Sequence, residues 1–229
     1  MSEKVRNMFS NISGKYDLMN NVLSLGIHKS WRKRTVRGSI AGRGKSVLDC
    51  ASGTGDLAID FYRAVMPGGK VTATDFSREM LDVARSKFDR QGLPIQTRIE
   101  DVMSLSFPDA TFDISSIAFG IRNVDDTLGG LRELARVVKP GGQVVVLEFG
   151  QATGAFRYLY NLYSRLMIPA VGRIIAGNRD AYDYLQETAA RFPCRERFLD
   201  LMRMTGMLTD MRYVSLSSGI AYIYYGRKK

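Results

Sequence analysis

The stretch VLDCASGTGDLA (47–58) restricts the possible folds of this chain more than any other part of it. A short apolar run around Asp49 leads into a loop with two glycines, Gly53 and Gly55, and then into a helical pattern. Glycines at the junction of a strand and a helix allow the backbone to approach a bound ligand closely. The stretch therefore predicts the first strand-loop-helix unit of a nucleotide-binding sheet.

Strand and helix patterns alternate from residue 46 to residue 150. Such alternation is typical of a mostly parallel sheet with helices on both faces. Two final runs of β-branched and aromatic residues flank Ser218 and Gly219, which predicts a C-terminal antiparallel hairpin. The sequence thus predicts an α/β, Rossmann-like fold. The predicted strands of the alternating part are 46–51, 70–75, 95–101, 111–120 and 143–150, and the predicted helices are 56–65, 77–90, 125–138, 181–191 and 196–204.

Three aspartates stand at the ends of three successive predicted strands: Asp49, Asp75 and Asp101. Because the carboxyl ends of parallel strands meet at one edge of a sheet, these side chains are expected to line one crevice. The loop nearly satisfies a dinucleotide fingerprint, but Asp49 would repel a pyrophosphate at the helix N-terminus. The alternative left open is that each aspartate only caps the helix after its strand.

An acidic crevice favours S-adenosylmethionine as the ligand, because that molecule carries an ammonium and a sulfonium group and no phosphate. We expect Asp49 to hold the ammonium group, Asp75 the ribose hydroxyls and Asp101 the adenine amino group. The backbone of residues 53–55 is expected to pass under the amino acid and the ribose. The backbone of Val102 is expected to read the edge of the adenine ring.

Charge is unevenly distributed along the chain, whose net charge is +10. Residues 1–45 carry ten basic and two acidic side chains, residues 46–150 eleven and fifteen, and residues 151–229 twelve and six. Basic ends of this kind attract RNA, an anionic membrane surface or an acidic substrate, and they also occur as an ordinary soluble surface. Charge alone does not decide among these.

Cysteine and histidine are scarce in the sequence. Cys50 and Cys194 form neither a CxxC pair nor a disulfide framework, and His28 is the only histidine. These counts favour a reducing, cytoplasmic setting and a site without metal. No apolar run reaches the ~20 residues that span a bilayer. We therefore expect a cytoplasmic protein, soluble or peripheral at the inner face of the membrane.

Two long stretches, YDLMNNVLSLGIHKSW (16–31) and RVVKPGGQVVVLEF (136–149), are independent of each other in the chain. They resemble the two signatures of the ubiquinone and menaquinone biosynthesis C-methyltransferases, a family of class I methyltransferases that use S-adenosylmethionine. Residues 107–124 and 172–188 resemble the central and downstream segments of the same family. The resemblance runs from about Phe9 to the C-terminus.

The resemblance implies a single seven-stranded methyltransferase domain that methylates a ring carbon of a polyprenylated quinol. Demethylmenaquinol is the substrate that it favours, and the methoxy-benzoquinol of ubiquinone biosynthesis is the second. It also implies four parts of the domain: an N-terminal helical cap (1–45), a cofactor-binding core (46–150), a helical segment facing substrate or membrane (151–204) and a terminal β-hairpin (205–229).

The resemblance further assigns cofactor contacts to individual positions. The family's positions match Thr54, Asp75, Asp101 with Val102, and Ala118 in this sequence. Position 118 is usually serine in the family, so Ala118 is expected to contact the cofactor through its backbone only.

Methylation of an aromatic carbon requires the neighbouring ring hydroxyl to ionise, and an unperturbed phenol has a pKa of ~10. Arg122 follows the fourth predicted strand and is expected to stabilise the phenolate by its charge. Asn123 is expected to orient a quinol oxygen or a water molecule. The alternative left open is that Arg122 forms an ion pair with a structural carboxylate such as Asp125 or Asp126.

The stretch 16–31 holds further candidates for the acceptor side of the site. Tyr16, Asn20 and His28 are expected to complete the pocket, with Trp31 as an anchor for the segment. A histidine is the side chain whose ordinary pKa lies near neutrality, yet a lone histidine is also commonly structural. The sequence leaves His28 open between these two roles.

The polyprenyl chain of the proposed acceptor is insoluble in water, so the enzyme is expected to meet it at an anionic membrane surface. Residues 155–176 mix aromatic, aliphatic and basic side chains as interfacial helices do. A lid packed on the core is the other interpretation. The sequence does not decide the oligomeric state.

Three competing functions fit part of the sequence. An RNA methyltransferase would use the basic charge, but AFGIRNV (118–124) lacks the Asn-Pro-Pro-aromatic motif of base-amino methylation, and no nucleic-acid partner is expected. An NAD-dependent oxidoreductase would use the glycine loop. A silent, membrane-bound quinone carrier is the alternative without catalysis.

Overall fold

The computed structural model describes residues 13–154 and 191–229, together with Ser10, Tyr158, Tyr163, Thr188 and Ala189. Among the described residues, two helices precede the first strand. A helix then lies between consecutive strands up to the fifth, except between the third and the fourth. The elements are α1 Tyr16–Leu23, α2 Ile27–Gly38, β1 Ser46–Cys50, α3 Asp56–Val65, β2 Lys70–Asp75, α4 Arg78–Arg90, β3 Gln96–Ile99, β4 Phe112–Ala118, α5 Thr127–Arg136, β5 Val138–Phe149, α6 Glu196–Met204, β6 Leu208–Leu216 and β7 Ala221–Lys228.

The seven strands form one sheet in the order β3-β2-β1-β4-β5-β7-β6. Strands β1 to β5 are parallel to one another, whereas β7 runs antiparallel to both of its neighbours, β5 and β6. The predicted α/β, Rossmann-like class with a seven-stranded, mostly parallel sheet and a C-terminal antiparallel hairpin is confirmed.

Strand β5 is longer than predicted and corrects the expected boundary at residue 143. The helix before it ends at Arg136, and the strand begins at Val138, so KPGG (139–142) lies within the strand instead of forming a free turn. Val138 pairs with Phe112, and a register shift separates that pair from the regular ladder that starts at Ile114 and Gln143. This irregularity absorbs the turn-forming glycines, so the strand begins five residues earlier than its apolar composition indicates.

Strand β5 contributes side chains to the hydrophobic core on both faces of the sheet. Val144 and Val146 face one side of the sheet, Val145 and Leu147 the other, and all four are fully buried. The helices α2, α3 and α4 contribute to the cluster on one face, while α5 and α6 contribute to the cluster on the other. A strand covered on both faces explains the unbroken apolar run VVVL.

Helix boundaries follow the local capping chemistry that the sequence indicates. Ser77 is the N-cap of α4 and accepts a hydrogen bond from the backbone of Met80 at 3.2 Å, as predicted. The predicted helix at 196–204 coincides with α6. The predicted interfacial helix within 155–176 and most of the predicted helix at 181–191 lie outside the described residues. Among the helices that the structure describes, none is both long and apolar enough to cross a bilayer.

Candidate active site

The carboxyl ends of β1 to β4 open into a crevice of about 690 Å³, a volume that includes the space at its mouth. It lies where the strand order reverses between β1 and β4, which is the usual ligand site of an open α/β sheet. Five predicted cofactor positions line the crevice: Gly53, Asp75, Asp101, Val102 and Ala118.

Two glycines permit close packing around the crevice. Gly55 precedes α3 with φ +84°, and a Cβ at this position would lie 2.4 Å from the Phe88 ring. Gly120 follows β4, and a Cβ there would lie 2.6 Å from the Cβ of Ala51. Glycine is therefore required at 55 so that the loop can pack on α4, and at 120 so that the segments after β1 and β4 can meet.

Asp75 is buried and already organises the glycine loop. Its Oδ2 atom accepts a hydrogen bond from the backbone of Gly53 at 2.8 Å, and its Oδ1 atom accepts one from the backbone of Ser77 at 2.9 Å. Burial raises the pKa of Asp75, and these backbone donors oppose part of the shift. The carboxylate is thus held at the crevice wall by the loop on one side and the start of α4 on the other.

Asp49 lies behind the wall of the crevice, with only 1% of the residue exposed. Its two oxygens accept hydrogen bonds from the hydroxyls of Ser52 at 2.5 Å and Ser116 at 2.6 Å. Burial raises the pKa of Asp49 to about 6, although both hydrogen bonds favour the charged form. The structure therefore connects Asp49 to the loop through Ser52, a partner that the sequence did not indicate.

Asp101 and Ala118 line the crevice from the carboxyl ends of β3 and β4. Asp101 follows β3, and its Oδ1 atom accepts a hydrogen bond from the backbone of Met103 at 2.9 Å. This hydrogen bond closes a turn, and because β3 is followed by β4 without a helix between them, Asp101 does not cap a helix. The same side chain lines the crevice. Ala118 is the last residue of β4.

Thr54 makes its contact with the N-terminal helices. Its hydroxyl donates to Asp17 of α1 at 2.5 Å. Asp17 also forms an ion pair with Lys87 of α4, and Lys87 contacts Asp56 of α3 at 2.9 Å. Arg32 of α2 contacts the same Asp56 at 2.8 Å. This group of residues, which we call the Asp17 network, joins α1 and α2 to the glycine loop. Sequence analysis missed Asp17, although it stands next to Tyr16.

An Asp17→Ala variant is expected to raise the KM for S-adenosylmethionine about tenfold, because hydrogen bonds to charged groups are worth ~1.5–3 kcal/mol. Hydrogen exchange of the α1 amides should become faster in the same variant. The matched control is Asp82→Ala, whose ion pair with Arg85 is exposed on α4. An unchanged KM in Asp17→Ala would show that the network does not support the loop.

Tyr16 and Asn123 are the predicted acceptor-side residues that line the crevice. Tyr16 is hydrogen-bonded to Asn20, and burial raises the pKa of its phenol. Asn123 is 6% exposed, and its Oδ1 atom has no hydrogen-bond partner among the described residues. A buried acceptor without a partner is costly. It fits a bound ligand or water that donates a hydrogen bond.

Arg122 is buried beside the crevice, and its ion-pair partner is Glu148 at the end of β5. The Nη1 atom lies 2.6 Å from Glu148 Oε1 and donates to the backbone oxygen of Phe119 at 2.7 Å. The Arg122 and Glu148 side chains are 3% and 0% exposed. The structural alternative, an ion pair with a carboxylate such as Asp125 or Asp126, is therefore correct in kind, but the partner is Glu148. Glu148 is the one acidic residue in the apolar run QVVVLEF, and an acidic residue in a buried strand indicates a charged partner.

His28 does not line the crevice. Helical spacing places it with Trp31 and Thr35 on the buried face of α2, and its Nδ1 atom lies 2.5 Å from the hydroxyl of Ser24. Burial, followed by the charge of Arg32, lowers the pKa of His28 to about 4. Trp31 donates to the hydroxyl of Ser217 at 3.0 Å and anchors α2 as expected. The structure therefore favours the structural role of His28 and gives no contact for a catalytic one.

The lowered pKa of His28 predicts a measurable pH dependence of stability. Folding favours the neutral imidazole, so its contribution is complete above about pH 6.5 and is lost as the pH falls towards about 4. Asp49 has a raised pKa and acts in the opposite direction over the same range. The wild type should therefore be compared with His28→Gln by urea unfolding at each pH.

The stability advantage of the wild type over His28→Gln is expected to shrink by about 2–3 kcal/mol from about pH 7.5 to about pH 4.5. Asp49 titrates in both proteins, so its effect cancels in this difference. A difference that stays constant over this range would contradict a neutral, buried His28.

The chemistry of the wall separates candidate ligands. Three carboxylates, Asp75, Glu100 and Asp101, line the crevice, and among the described residues no lysine, arginine or histidine does so. A pyrophosphate would meet negative charge there, whereas a ligand with an ammonium group and ribose hydroxyls would meet acceptors. The residues thus fit S-adenosylmethionine. In the described part of the chain, no group of three or more His, Cys, Asp or Glu residues could hold a metal ion.

The chain matches a model of the ubiE/COQ5 methyltransferase family over residues 1–228. It is 52% identical over 228 residues to the ubiquinone/menaquinone biosynthesis C-methyltransferase UbiE of Bdellovibrio bacteriovorus, a match that covers 99% of this chain and 97% of that protein. It is 41% identical over 228 residues to the demethylmenaquinone methyltransferase of Deinococcus radiodurans, with coverage of 99% and 93%.

Two solved structures share the fold. One is an S-adenosylmethionine-dependent methyltransferase of Thermotoga maritima, described as a possible histamine N-methyltransferase, with a TM-score of 0.69, 20% identity and coverage of 98% of this chain and 99% of that one. The other is an S-adenosylmethionine-dependent methyltransferase of Aquifex aeolicus, with a TM-score of 0.64, 18% identity and coverage of 86% and 89%. At this level of identity the likeness concerns the fold alone.

Proposed function

The chain belongs to the ubiE/COQ5 methyltransferase family, and from that membership we propose that it methylates a ring carbon of a polyprenylated quinol, with S-adenosylmethionine as methyl donor. The observation that carries the proposal is the full-length match to relatives named for this reaction. The acidic crevice at the carboxyl ends of β1 to β4 supports the same donor. The protein is therefore an S-adenosylmethionine-dependent C-methyltransferase of quinone biosynthesis.

Demethylmenaquinol is the acceptor that we propose first, because the relative from Deinococcus radiodurans carries the name demethylmenaquinone methyltransferase. The relative from Bdellovibrio bacteriovorus is named for both ubiquinone and menaquinone biosynthesis. The methoxy-benzoquinol of the ubiquinone route is therefore the second acceptor to be tested.

The donor site is proposed at the positions that surround the glycine loop. S-adenosylmethionine supplies an electrophilic methyl group on its sulfonium when it is bound. We assign the ribose hydroxyls to Asp75, whose two oxygens are fixed by backbone donors. We assign the adenine edge to Asp101 and Val102, and backbone contacts to Gly53 and Ala118.

Further donor-side roles follow from the contacts behind the wall. Thr54 holds the loop through Asp17, and Gly55 packs the loop on α4. Asp49 acts through Ser52 or a water molecule on the ammonium group. These three assignments concern positioning of the loop more than direct contact.

The acceptor site is proposed on the side of Tyr16 and Asn123. We assign the Asn123 Oδ1 atom to accept a hydrogen bond, either from the ring hydroxyl or from a water molecule next to it. Arg122 stays protonated and stabilises the ionised ring oxygen by its charge. Tyr16 bounds the pocket opposite the loop, where its ring lies 3.8 Å from the Cβ position of Gly53.

The remaining parts of the chain complete the proposal. We propose residues 1–45 as the cap, residues 46–150 as the donor core, residues 151–204 as the side that faces the acceptor or the membrane, and residues 205–229 as the terminal hairpin. We propose a cytoplasmic enzyme that meets the insoluble acceptor at an anionic membrane surface. The described apolar side chains of Leu18, Leu25, Ile27 and Tyr158 are exposed and are compatible with such contact.

The test is to supply methyl-labelled S-adenosylmethionine with demethylmenaquinol or the methoxy-benzoquinol, each in its reduced and its oxidised form. Label is expected in the menaquinol formed from demethylmenaquinol, because only the quinol has a ring hydroxyl whose ionisation makes the ring carbon nucleophilic. Label in neither product would overturn the proposed function. Equal labelling of the quinone forms would overturn the assigned role of the ring hydroxyl.

A further inference from the structure

Helix α2 presents a solvent face made almost entirely of basic residues. Lys29, Lys33, Arg34 and Arg37 are all exposed, and their spacing places them on one side of the helix. Within the part of the chain that the structure describes, none of the four forms an ion pair. The opposite side of α2 is packed on the protein through the buried residues Trp31 and Val36, so this helix is fixed in its orientation.

Large apolar side chains stand at the N-terminal end of the same helix. Leu25 is 72% exposed, Leu18 is 55% exposed and Ile27 is 45% exposed. Leu25 has φ +49°, a left-handed conformation that is uncommon for a leucine. The turn before α2 therefore exposes a bulky apolar side chain to solvent, in a backbone conformation that is unfavourable for leucine. We call Leu18, Leu25 and Ile27 the apolar tip.

The apolar tip lies on the side of the molecule where the crevice opens. One turn beyond Ile27, the Trp31 ring lies 6.3 Å from the ring of Phe119, which lines the crevice. At the other end, Ile40 donates its backbone N–H to Gln143 near the start of the regular part of β5. Helix α2 thus runs from the carboxyl edge of the sheet, with the tip, towards the amino edge, with the basic face along its length.

We propose that the basic face of α2 and the apolar tip together form the surface that docks on an anionic lipid bilayer. The combination of lysine and arginine with exposed leucine and isoleucine is the one that binds bilayer interfaces, where the apolar groups enter the acyl region and the basic groups face anionic headgroups. The inference rests on the proposed function in one respect: docking at the tip would bring the crevice to the surface from which a polyprenyl chain emerges.

A lipid bilayer fits the surface better than a nucleic acid or a second copy of the chain. Phosphate groups of RNA would account for the four basic residues but not for three exposed aliphatic side chains next to them. A second copy would need an acidic face of matching shape. The test therefore also measures RNA binding and self-association.

The test compares three full-length proteins by co-sedimentation with vesicles of phosphatidylcholine and phosphatidylglycerol, without donor or acceptor. The first is the wild type, and the second replaces Lys29, Lys33, Arg34 and Arg37 with glutamine. The third replaces Lys70, Arg90, Arg132 and Arg203, exposed residues elsewhere on the molecule, and removes the same amount of charge.

Each basic residue near an anionic surface strengthens binding about fivefold. The α2 variant is therefore expected to bind at least about 100-fold more weakly than the wild type, whereas the control variant should change far less. Binding of the wild type should also fall with added salt and be weak on pure phosphatidylcholine. A Leu25→Ser, Ile27→Ser variant should bind about tenfold or more weakly, because it keeps the charges and loses the apolar contact.

The proposal is overturned if the wild type leaves anionic vesicles unbound, or if the α2 variant and the control variant lose affinity equally. It is also overturned if the α2 charges are needed only for RNA binding or for self-association in sedimentation velocity. Turnover with a chain-free, water-soluble quinol should be the same in all variants. Absence of turnover with every quinol would count against the proposed function alone, since vesicle binding is measured separately.

Discussion

An Arg122→Met variant is expected to have a free energy of unfolding about 3–5 kcal/mol below that of the wild type, because Glu148 would be left buried without its ion-pair partner. Glu148 is fully buried, and its nearest cationic group is the Arg122 guanidinium at 2.6 Å. Arg122 also donates to the backbone oxygen of Phe119, which would lose that donor. Urea unfolding of the purified variant measures this loss.

The double variant Arg122→Met, Glu148→Gln separates stability from catalysis. Removing both charges is expected to restore most of the lost stability, because replacing a complete buried ion pair is commonly neutral or stabilising. Turnover should nevertheless stay at least about 100-fold below the wild type if the Arg122 charge stabilises the ionised ring oxygen. Donor affinity should be close to normal in this variant. A stable double variant with full turnover would remove Arg122 from the mechanism and leave it a structural residue.

An Asp75→Asn variant is expected to bind S-adenosylhomocysteine about 100-fold more weakly than the wild type. The carboxylate has both oxygens occupied by backbone donors from Gly53 and Ser77 and is proposed to accept the ribose hydroxyls as well. An amide offers one acceptor atom in place of two and turns an N–H group towards one of these donors. The combined loss is about 3 kcal/mol, which corresponds to the stated factor.

Asp113→Asn is the matched control for this experiment. Asp113 lies in β4 near the amino edge of the sheet, far from the crevice, and accepts a backbone hydrogen bond from Ser46 at 2.8 Å. It therefore loses a comparable hydrogen bond without touching the donor site. Calorimetry should show near-normal affinity in the control. Equal weakening in both variants would mean that Asp75 acts through stability and not through the ribose.

The wall of the donor site was predictable because it depends on strand ends. Asp75 and Asp101 could be placed together from the sequence, since carboxyl ends of parallel strands meet at one edge of the sheet. The N-cap role of Ser77 was predictable because it depends on neighbours a few residues away. Local pattern and the rule for parallel strands were sufficient for these features.

The partner of Arg122 required knowledge of strand order. Ala118 lies beside Leu147 in the sheet, which brings the segment after β4 next to Glu148. Before the pairing of β4 with β5 is known, Asp125 and Asp126 are the nearest acidic residues in the sequence and therefore the obvious candidates. The contact of Asp17 with Thr54 crosses from α1 to the glycine loop and has the same cause. The periodicity of apolar residues predicts which face of a helix or strand a residue occupies. It does not predict which residue, distant in the sequence, contacts it.

The contact between the segments after β1 and β4 limits how the active site can be redesigned. With 2.6 Å between the Ala51 Cβ and a Cβ built at Gly120, this part of the crevice has no room for a single added carbon atom. On the cap side, by contrast, a Cβ at Gly53 meets nothing nearer than the Tyr16 ring at 3.8 Å. Changes that adapt the enzyme to a bulkier ring must therefore be made in α1, and a library directed at that helix should yield more active variants than one directed at positions 51 and 120.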